Sequence, residues 1–235
     1  MNFEAPIPAN RSVDGWKDVE IKENGEPLVL LNNYAPDHIT VLQQYYLQGL
    51  SNSINECFCR EGLATRLLTA AKAMPAGYKL LIWDAWRPIE VQNELFEIYK
   101  GKLEQDTELT GEALINEAQK YISLPSTDQT KPSPHLTGGA IDLTMIDANG
   151  QRLDMGTEFD HFGPEAQTDY FETKPNPSKK DISIKKNRRF LYNLLTAAGF
   201  TNYPHEWWHF DYGNQFWAVQ TGREAIYNQT TAPSQ

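Results

Sequence analysis

Residues 205–209 have the sequence His-Glu-Trp-Trp-His, which can belong either to a helix or to a strand. As a helix, it is an H-E-x-x-H motif in which His205 and His209 bind zinc and Glu206 is the general base. As the entrance to a strand, it supplies one ligand, His209, together with the base Glu206, and the other ligands must come from elsewhere. The two interpretations require different folds around the same five residues.

The flanking residues favour the strand. Pro204 precedes the stretch, and four aromatic residues lie within positions 207–212, a composition that is typical of strands. The longer helical motif H-E-x-x-H-x-x-G-x-x-H also requires a histidine where this chain has Gln215. We therefore expect Glu206 at an irregular strand entrance after Pro204, with His209 inside the strand.

A source of further ligands is the segment 133–142, Ser-Pro-His-Leu-Thr-Gly-Gly-Ala-Ile-Asp, where His135 and Asp142 lie seven positions apart across a glycine pair. His135, Asp142 and His209 offer two nitrogens and one carboxylate oxygen. This set suits one Zn²⁺ per chain with a fourth coordination position left open. The alternative is structural, because an isolated histidine is more often hydrogen-bonded than a ligand. Asp142 lies in an apolar run and needs a partner, either a metal or an arginine.

Two further charged residues are candidates for the same site. Arg87 follows a predicted strand and precedes Pro88, a position from which a guanidinium can hold a developing oxyanion or a carboxylate. Its structural alternative is a salt bridge to Asp84 or Glu90. Asp160, at the end of the segment Met-Gly-Thr-Glu-Phe-Asp, is a candidate for holding a substrate ammonium.

Four segments, residues 83–88, 133–142, 155–160 and 206–209, together resemble the vancomycin-resistance type of D-alanyl-D-alanine dipeptidase in order and spacing. The resemblance extends over residues 60–212. It implies zinc-dependent cleavage of the free dipeptide D-Ala-D-Ala, in a mixed α+β fold shared with peptidoglycan D,D-carboxypeptidases and hedgehog-type domains. It also implies a role for individual residues: zinc binding by His135, Asp142 and His209, general base catalysis by Glu206, transition-state stabilisation by Arg87, ammonium binding by Asp160 and contact with the other end of the dipeptide by Ser133.

One part of the family pattern is different here. The family usually carries a tyrosine and an Asn-Phe-x-Gly-like stretch on the amino-terminal side of the cleft, whereas residues 44–49 read Gln-Tyr-Tyr-Leu-Gln-Gly. Tyr45 or Tyr46 is the candidate substitute. The alternatives to a dipeptidase are therefore a D,D-carboxypeptidase or endopeptidase acting on peptidoglycan peptides, and a non-catalytic zinc-binding module. The presence of both Glu206 and Arg87 argues against a non-catalytic module. The three-ligand set also argues against it, since structural zinc usually has four protein ligands.

Composition narrows the range of partners. The chain has 235 residues, 40% of them hydrophobic, which is enough for one domain with its own core. A net charge of −10 argues against nucleic acid and anionic membranes as partners, but not against a small dipeptide. Residues 1–10 lack the basic and apolar regions of a secretory signal, so we expect a cytoplasmic location, or a periplasmic one for a trimmed mature chain. No segment is apolar enough to insert into a membrane.

The predicted elements indicate one α+β domain, residues 1–235, with an antiparallel sheet flanked by helices. Strands are predicted at 78–84, 139–146 and 206–212, and helices at 89–99 and 110–122. An Asn24-Gly25 turn predicts a hairpin, and apolar spacing predicts a helix over 54–71 that includes Cys57 and Cys59 as free thiols. Ser183 is the predicted cap of a helix that ends at Gly199, and 163–182 is predicted to be a surface loop.

Overall fold

The computed structural model describes residues 2–9, 11–119, 122, 126 and 128–232. Within these residues, the strands are β1 (Leu28–Leu30), β2 (Ile39–Val41), β3 (Phe58–Arg60), β4 (Lys79–Asp84), β5 (Ala140–Ile146), β6 (Thr201–Asn202) and β7 (His209–Asp211). The α-helices are α1 (Gln44–Leu47), α2 (Glu61–Lys72), α3 (Ile89–Asp106), α4 (Gly111–Ala118), α5 (Tyr170–Thr173), α6 (Lys179–Ala197) and α7 (Gln215–Thr221). Short 3₁₀ helices cover Trp16–Asp18, Pro134–Thr137 and Pro164–Ala166.

The main sheet has five strands in the order β2-β4-β5-β7-β6. Its β4-β5, β5-β7 and β7-β6 pairs are antiparallel, and β2 pairs with β4 in parallel. A separate antiparallel pair joins β1 and β3. The prediction of a mixed α+β architecture built on a mainly antiparallel sheet is confirmed.

The register of the sheet brings three polar residues into one row. Asp84 on β4 lies opposite Asp142 on β5, and Asp142 lies opposite His209 on β7. Directly opposed residues in antiparallel pairs have Cβ atoms only about 4.5–5.5 Å apart. The register therefore gathers side chains from three segments of the chain.

The alternation of β5 separates this polar row from the core. Ile141, Leu143 and Met145 are completely buried and belong to the main hydrophobic cluster, whereas Asp142 points to the opposite face of the strand. Buried leucines of α2 and α6 belong to the same cluster. Burial of this apolar layer stabilises the sheet and so holds the polar row in place.

Two predictions near the amino terminus are wrong. The Asn24-Gly25 turn does not form a hairpin, because β1 pairs with β3 and Ile21 forms a bridge with Ala225. The predicted helix over 54–71 begins only at Glu61, since residues 58–60 form β3. Apolar residues of a strand followed directly by a helix imitate helical spacing. Cys57 and Cys59, both buried free thiols, consequently lie just before and within a strand.

The carboxyl-terminal half also differs from expectation. The cap of α6 is Ser178 instead of Ser183, and it forms a reciprocal capping box with Asp181. The segment 163–182 contains a 3₁₀ helix, α5 and the start of α6, so it is not a loop throughout. Helix α3 runs to Asp106, seven residues beyond its predicted end. The predicted helix 110–122 corresponds to α4, and its residues 120 and 121 lie outside the described part of the chain.

Among the described residues, no helix has the length and apolar character needed to cross a membrane.

Candidate metal centre and active site

The stretch 205–209 does not form a helix. Residues 204–208 are irregular and include two turns, and β7 begins at His209. His205 is exposed and packs edge-on against the ring of Tyr203, with 5.2 Å between ring centroids. Glu206 precedes the strand and His209 starts it, as the strand interpretation predicts. The H-E-x-x-H helix is therefore excluded.

The glycine pair places His135 beside the sheet. His135 lies in the 3₁₀ helix Pro134–Thr137, which ends at Gly138 with a left-handed φ of +70°. A Cβ atom on Gly139 would lie 2.6 Å from the backbone oxygen of Tyr212, so only glycine allows the chain to enter β5 this close to the segment after β7. This sharp turn explains how the side chains of His135 and Asp142, seven positions apart in the chain, come to lie next to each other.

The three predicted ligands form a compact cluster. Nε2 of His135 lies 3.1 Å from Nδ1 of His209, which lies 3.1 Å from Oδ1 of Asp142. The distance from Nε2 of His135 to Oδ2 of Asp142 is 3.4 Å. Two donors bound to one zinc ion at about 2.0–2.2 Å with tetrahedral angles lie about 3.3 Å apart. The spacing of these donor atoms thus fits a single ion, and all three residues are buried.

Hydrogen bonds on the far side of each imidazole leave the inner nitrogen free to bind a metal. Nδ1 of His135 donates to the carbonyl oxygen of Ala85 at 2.7 Å, and Nε2 of His209 donates to Oδ1 of Asp211 at 3.1 Å. Because both partners can only accept, the protons are assigned to these outer nitrogens. Such outer partners orient metal-binding histidines and increase their basicity. The donor set therefore fits zinc in type, spacing and orientation.

The electrostatics of the cluster favour a cation. Burial by itself raises the pKa of Asp142, but the adjacent imidazoles of His135 and His209 outweigh it and hold this pKa well below its usual range. Burial lowers the pKa of His209, but the carboxylates of Asp211 and Asp142 outweigh it and raise this pKa well above its usual value. The carboxylates around His209 thus favour a positive charge at this site.

Glu206 lies at the edge of the cluster. Its Oε2 is 3.8 Å from Nδ1 of His209, and its side chain retains access to the cavity. Burial raises the pKa of Glu206 to about 8, the imidazole of His209 opposes this rise, and the negative charge of Asp142 adds to it. A carboxyl group with a pKa near neutrality can accept and return a proton, which is the requirement for a general base.

Arg87 is buried and is held by four side chains. Its Nε donates to Asp84 Oδ2 at 2.8 Å and its Nη1 donates to Gln92 Oε1 at 2.7 Å. Its Nη2 lies 3.3 Å from the hydroxyl oxygen of Tyr45 and 3.5 Å from Oδ2 of Asp142. The salt bridge to Asp84 expected of a purely structural arginine is present. The same arginine lines the cavity beside the candidate metal ligands, so the two interpretations are compatible.

Asp160 lines the same cavity as Arg87 and the candidate metal ligands. It has a left-handed φ of +57°, which is uncommon for a residue with a side chain, and its Oδ1 accepts a hydrogen bond from the Tyr45 hydroxyl at 3.3 Å. Burial raises the pKa of Asp160 to about 7, the charge of Asp142 adds to the rise, and Arg87 opposes it. A partly buried carboxylate in the lining of a cavity is suited to a ligand cation.

One cavity of about 230 Å³ connects these groups. It is lined by all the predicted site residues, including Ser133, the residue before the 3₁₀ helix. Its volume is below the ~300–1,000 Å³ typical of pockets for drug-sized ligands, so the site suits a small molecule. Of the two tyrosines left open by the sequence, Tyr45 lines the cavity and is buried, whereas Tyr46 is exposed.

Sequence reasoning missed three residues that hold the site together. Asp211 could have been predicted from the sequence, because residues two apart on a strand point to the same side and Asp211 is therefore a neighbour of His209. Asp84 was considered only as a possible salt-bridge partner. Gln92 had no signal, since its role depends on how the first turn of α3 packs against Arg87.

Comparison with known proteins identifies relatives of this chain. The family described as Peptidase M15, D-Ala-D-Ala dipeptidase, matches residues 41–231. A D-alanyl-D-alanine dipeptidase of Synechocystis sp. is 31% identical over 241 residues, covering 94% of this chain and 93% of the relative. A D-alanyl-D-alanine dipeptidase of Escherichia coli is 30% identical over 139 residues, covering 59% of this chain and 58% of the relative. A solved vancomycin resistance D,D-pentapeptidase VanY with Zn(II) has a TM-score of 0.43 at 16% identity, covering 89% of this chain and 97% of that chain.

Proposed function

The chain belongs to the D-Ala-D-Ala dipeptidase family, Peptidase M15, and on this basis we propose that it is a metallopeptidase that hydrolyses the dipeptide D-Ala-D-Ala with one zinc ion per chain. The observation that carries the proposal is the buried cluster of His135, Asp142 and His209, whose donor atoms are spaced for one ion. We further propose that residues 1–235 form a single catalytic domain.

His135, Asp142 and His209 would hold the zinc, leaving a coordination position open towards the cavity. When bound, zinc supplies a Lewis acid that polarises the scissile carbonyl and lowers the pKa of water. The orientation of the two imidazoles by Ala85 and Asp211 supports this assignment.

Glu206 takes the proton from the attacking water and delivers it to the leaving amine. Its position 3.8 Å from His209 places its carboxyl group next to the candidate metal ligands. Its raised pKa matches a group that must both accept and donate a proton near neutral pH.

The remaining residues bind and orient the dipeptide. Arg87 holds the developing oxyanion through Nη2, the part of the guanidinium that faces Asp142 and Tyr45. Asp160 accepts the substrate ammonium, and Ser133, which also lines the cavity, contacts the carboxyl-terminal half of the dipeptide. The Tyr45 hydroxyl joins Arg87 to Asp160 and so sets the distance between the two charges.

The test is the Glu206→Gln variant, assayed with zinc-loaded protein on D-Ala-D-Ala. We expect zinc to remain bound and hydrolysis to fall by about 100-fold or more, since loss of a general base removes ~10²–10⁴-fold of rate. Full activity of the variant would remove Glu206 from the mechanism. A zinc-loaded wild-type protein that does not hydrolyse D-Ala-D-Ala would contradict the dipeptidase and leave the D,D-carboxypeptidase or endopeptidase and the non-catalytic zinc-binding module.

Substrate length separates the dipeptidase from a D,D-carboxypeptidase or endopeptidase. If Asp160 binds the free ammonium, blocking the amino group of D-Ala-D-Ala by acetylation removes a charge-assisted contact and lowers kcat/KM. Equal rates on the free and acetylated dipeptides would favour an enzyme for longer peptidoglycan peptides.

A further inference from the structure

The cavity does not end at the metal cluster but continues along one face of α3. Gln92, Leu95, Tyr99 and Lys102 all line it, at helical spacings of three, four and three residues. Ten residues of α-helix rise about 15 Å. Gln92 contacts Arg87, so this face runs from the catalytic groups to a distant rim at Lys102.

The segment that carries Asp160 also contributes to the cavity lining and packs against α3. Phe162 packs against Tyr99, with 4.4 Å between ring centroids. Nearer the catalytic groups, Tyr45 shares a hydrophobic cluster with Leu95 and donates a hydrogen bond to Asp160. The apolar part of the cavity therefore begins beside the Asp160 carboxylate.

The face of α3 that lines the cavity is longer than D-Ala-D-Ala. An extended dipeptide spans only about 7 Å, and its methyl side chains are too short to follow α3. Ile98, also in the cavity lining, is 56% exposed, so part of this wall is open to solvent when no ligand covers it.

We propose that Leu95, Ile98, Tyr99 and Phe162 form a subsite, here called the α3 subsite, for the amino-terminal side chain of the substrate. It accepts an apolar side chain larger than methyl, as in a D,D-dipeptide that begins with D-leucine. This inference rests on the proposed function, because the ammonium on Asp160 places the neighbouring side chain. The ammonium and the side chain are attached to the same carbon atom, so anchoring the first at Asp160 keeps the second close to Tyr45, which shares a hydrophobic cluster with Leu95.

The test compares kcat/KM for D-Leu-D-Ala and D-Ala-D-Ala with the zinc-loaded protein. We expect the wild-type protein to prefer D-Leu-D-Ala by about tenfold or more, because added methylenes in an apolar pocket are each worth roughly 10-fold or more in specificity. Ile98→Glu places a charge on the wall and lowers this preference by about tenfold. Ile182→Glu is the matched control, since Ile182 is 41% exposed on α6 and does not line the cavity. It leaves the preference unchanged.

The outcomes separate the subsite from the proposed function. If D-Ala-D-Ala is hydrolysed but D-Leu-D-Ala is not, or if Ile98→Glu and Ile182→Glu change the preference equally, the α3 subsite is wrong and the dipeptidase remains. If neither dipeptide is hydrolysed, the proposed function fails and the subsite assignment fails with it.

Discussion

Asp211→Asn tests whether the charge behind His209 contributes to metal binding. Asp211 is completely buried, and its Oδ1 accepts hydrogen bonds from Nε2 of His209 at 3.1 Å and from Nδ2 of Asn214 at 2.6 Å. Asparagine has nearly the same shape and keeps an accepting oxygen, but it removes the negative charge. The variant therefore removes the charge while an oxygen remains to accept the hydrogen bond from His209.

The expected losses of zinc affinity and of folding stability follow from the contacts of the two Asp211 carboxylate oxygens. Loss of an outer partner of a metal-binding histidine typically lowers metal affinity by about 10–100-fold, or ~1.4–2.7 kcal/mol. In the described structure, Oδ2 of Asp211 has no hydrogen-bond partner. The new amide nitrogen at that position would be a buried donor without an acceptor, which costs about 1–3 kcal/mol of folding stability. Zinc affinity and folding stability should thus both fall, for different reasons.

The assay is competition for zinc between the protein and a chromophoric chelator, with thermal unfolding recorded with and without zinc. Asp37→Asn is the control, because it makes the same chemical change at an exposed position. We expect the control to match the wild type in both measurements. If Asp211→Asn binds zinc as tightly as the wild type, the negative charge of Asp211 does not contribute to zinc affinity.

Three further predictions concern the same site. His209→Ala should abolish zinc binding while His205→Ala keeps it, because of these two histidines only His209 belongs to the buried donor cluster. The measurement is metal analysis after dialysis, and equal retention of zinc by the two variants would contradict the assignment. Arg87→Lys should lower kcat by about 100-fold or more, since an ammonium cannot reproduce a planar guanidinium and loss of an oxyanion donor costs ~10²–10³-fold. Steady-state kinetics measure this, and an unchanged kcat would show that Arg87 does not stabilise the transition state. Burial raises the pKa of Glu206 to about 8 from 4.5, so the folded metal-free protein retains a proton that the unfolded chain releases. The free energy of unfolding of the metal-free protein should therefore fall as pH rises from 4.5 to about 8, by up to about 1.4 kcal/mol per pH unit. Glu206→Gln should make this dependence on pH weaker. If denaturant titrations give the same dependence for both proteins, the retained proton does not belong to Glu206.

The buried charges explain why the site and a cation belong together. Asp84, Asp142 and Asp211 are all buried, and Arg87 is the buried guanidinium that faces two of them. One guanidinium does not balance three carboxylates, and uncompensated buried charge is costly. A divalent cation held by His135, Asp142 and His209 would remove the excess of negative charge, so metal binding should also stabilise the fold.

Neighbouring residues in the chain were enough to predict the local chemistry of the site. The aromatic residues after Pro204 were sufficient to favour a strand entrance over a helix, because strand preference depends on side chains within a few residues. The glycine pair at 138 and 139 indicated a sharp turn between His135 and Asp142. These inferences needed only neighbouring residues and the geometry of single elements.

The surroundings of these groups depend on contacts between distant segments of the chain. The opposition of Asp84, Asp142 and His209 depends on the register of strands from three such segments, and the periodicity of a strand fixes which side chains share a face but not which residues of another strand lie opposite. The same limit explains the failed hairpin at Asn24-Gly25, where a distant strand competed successfully with the local turn. The contacts of Arg87 with Gln92 and Tyr45 likewise arise from packing between elements that are remote in the chain.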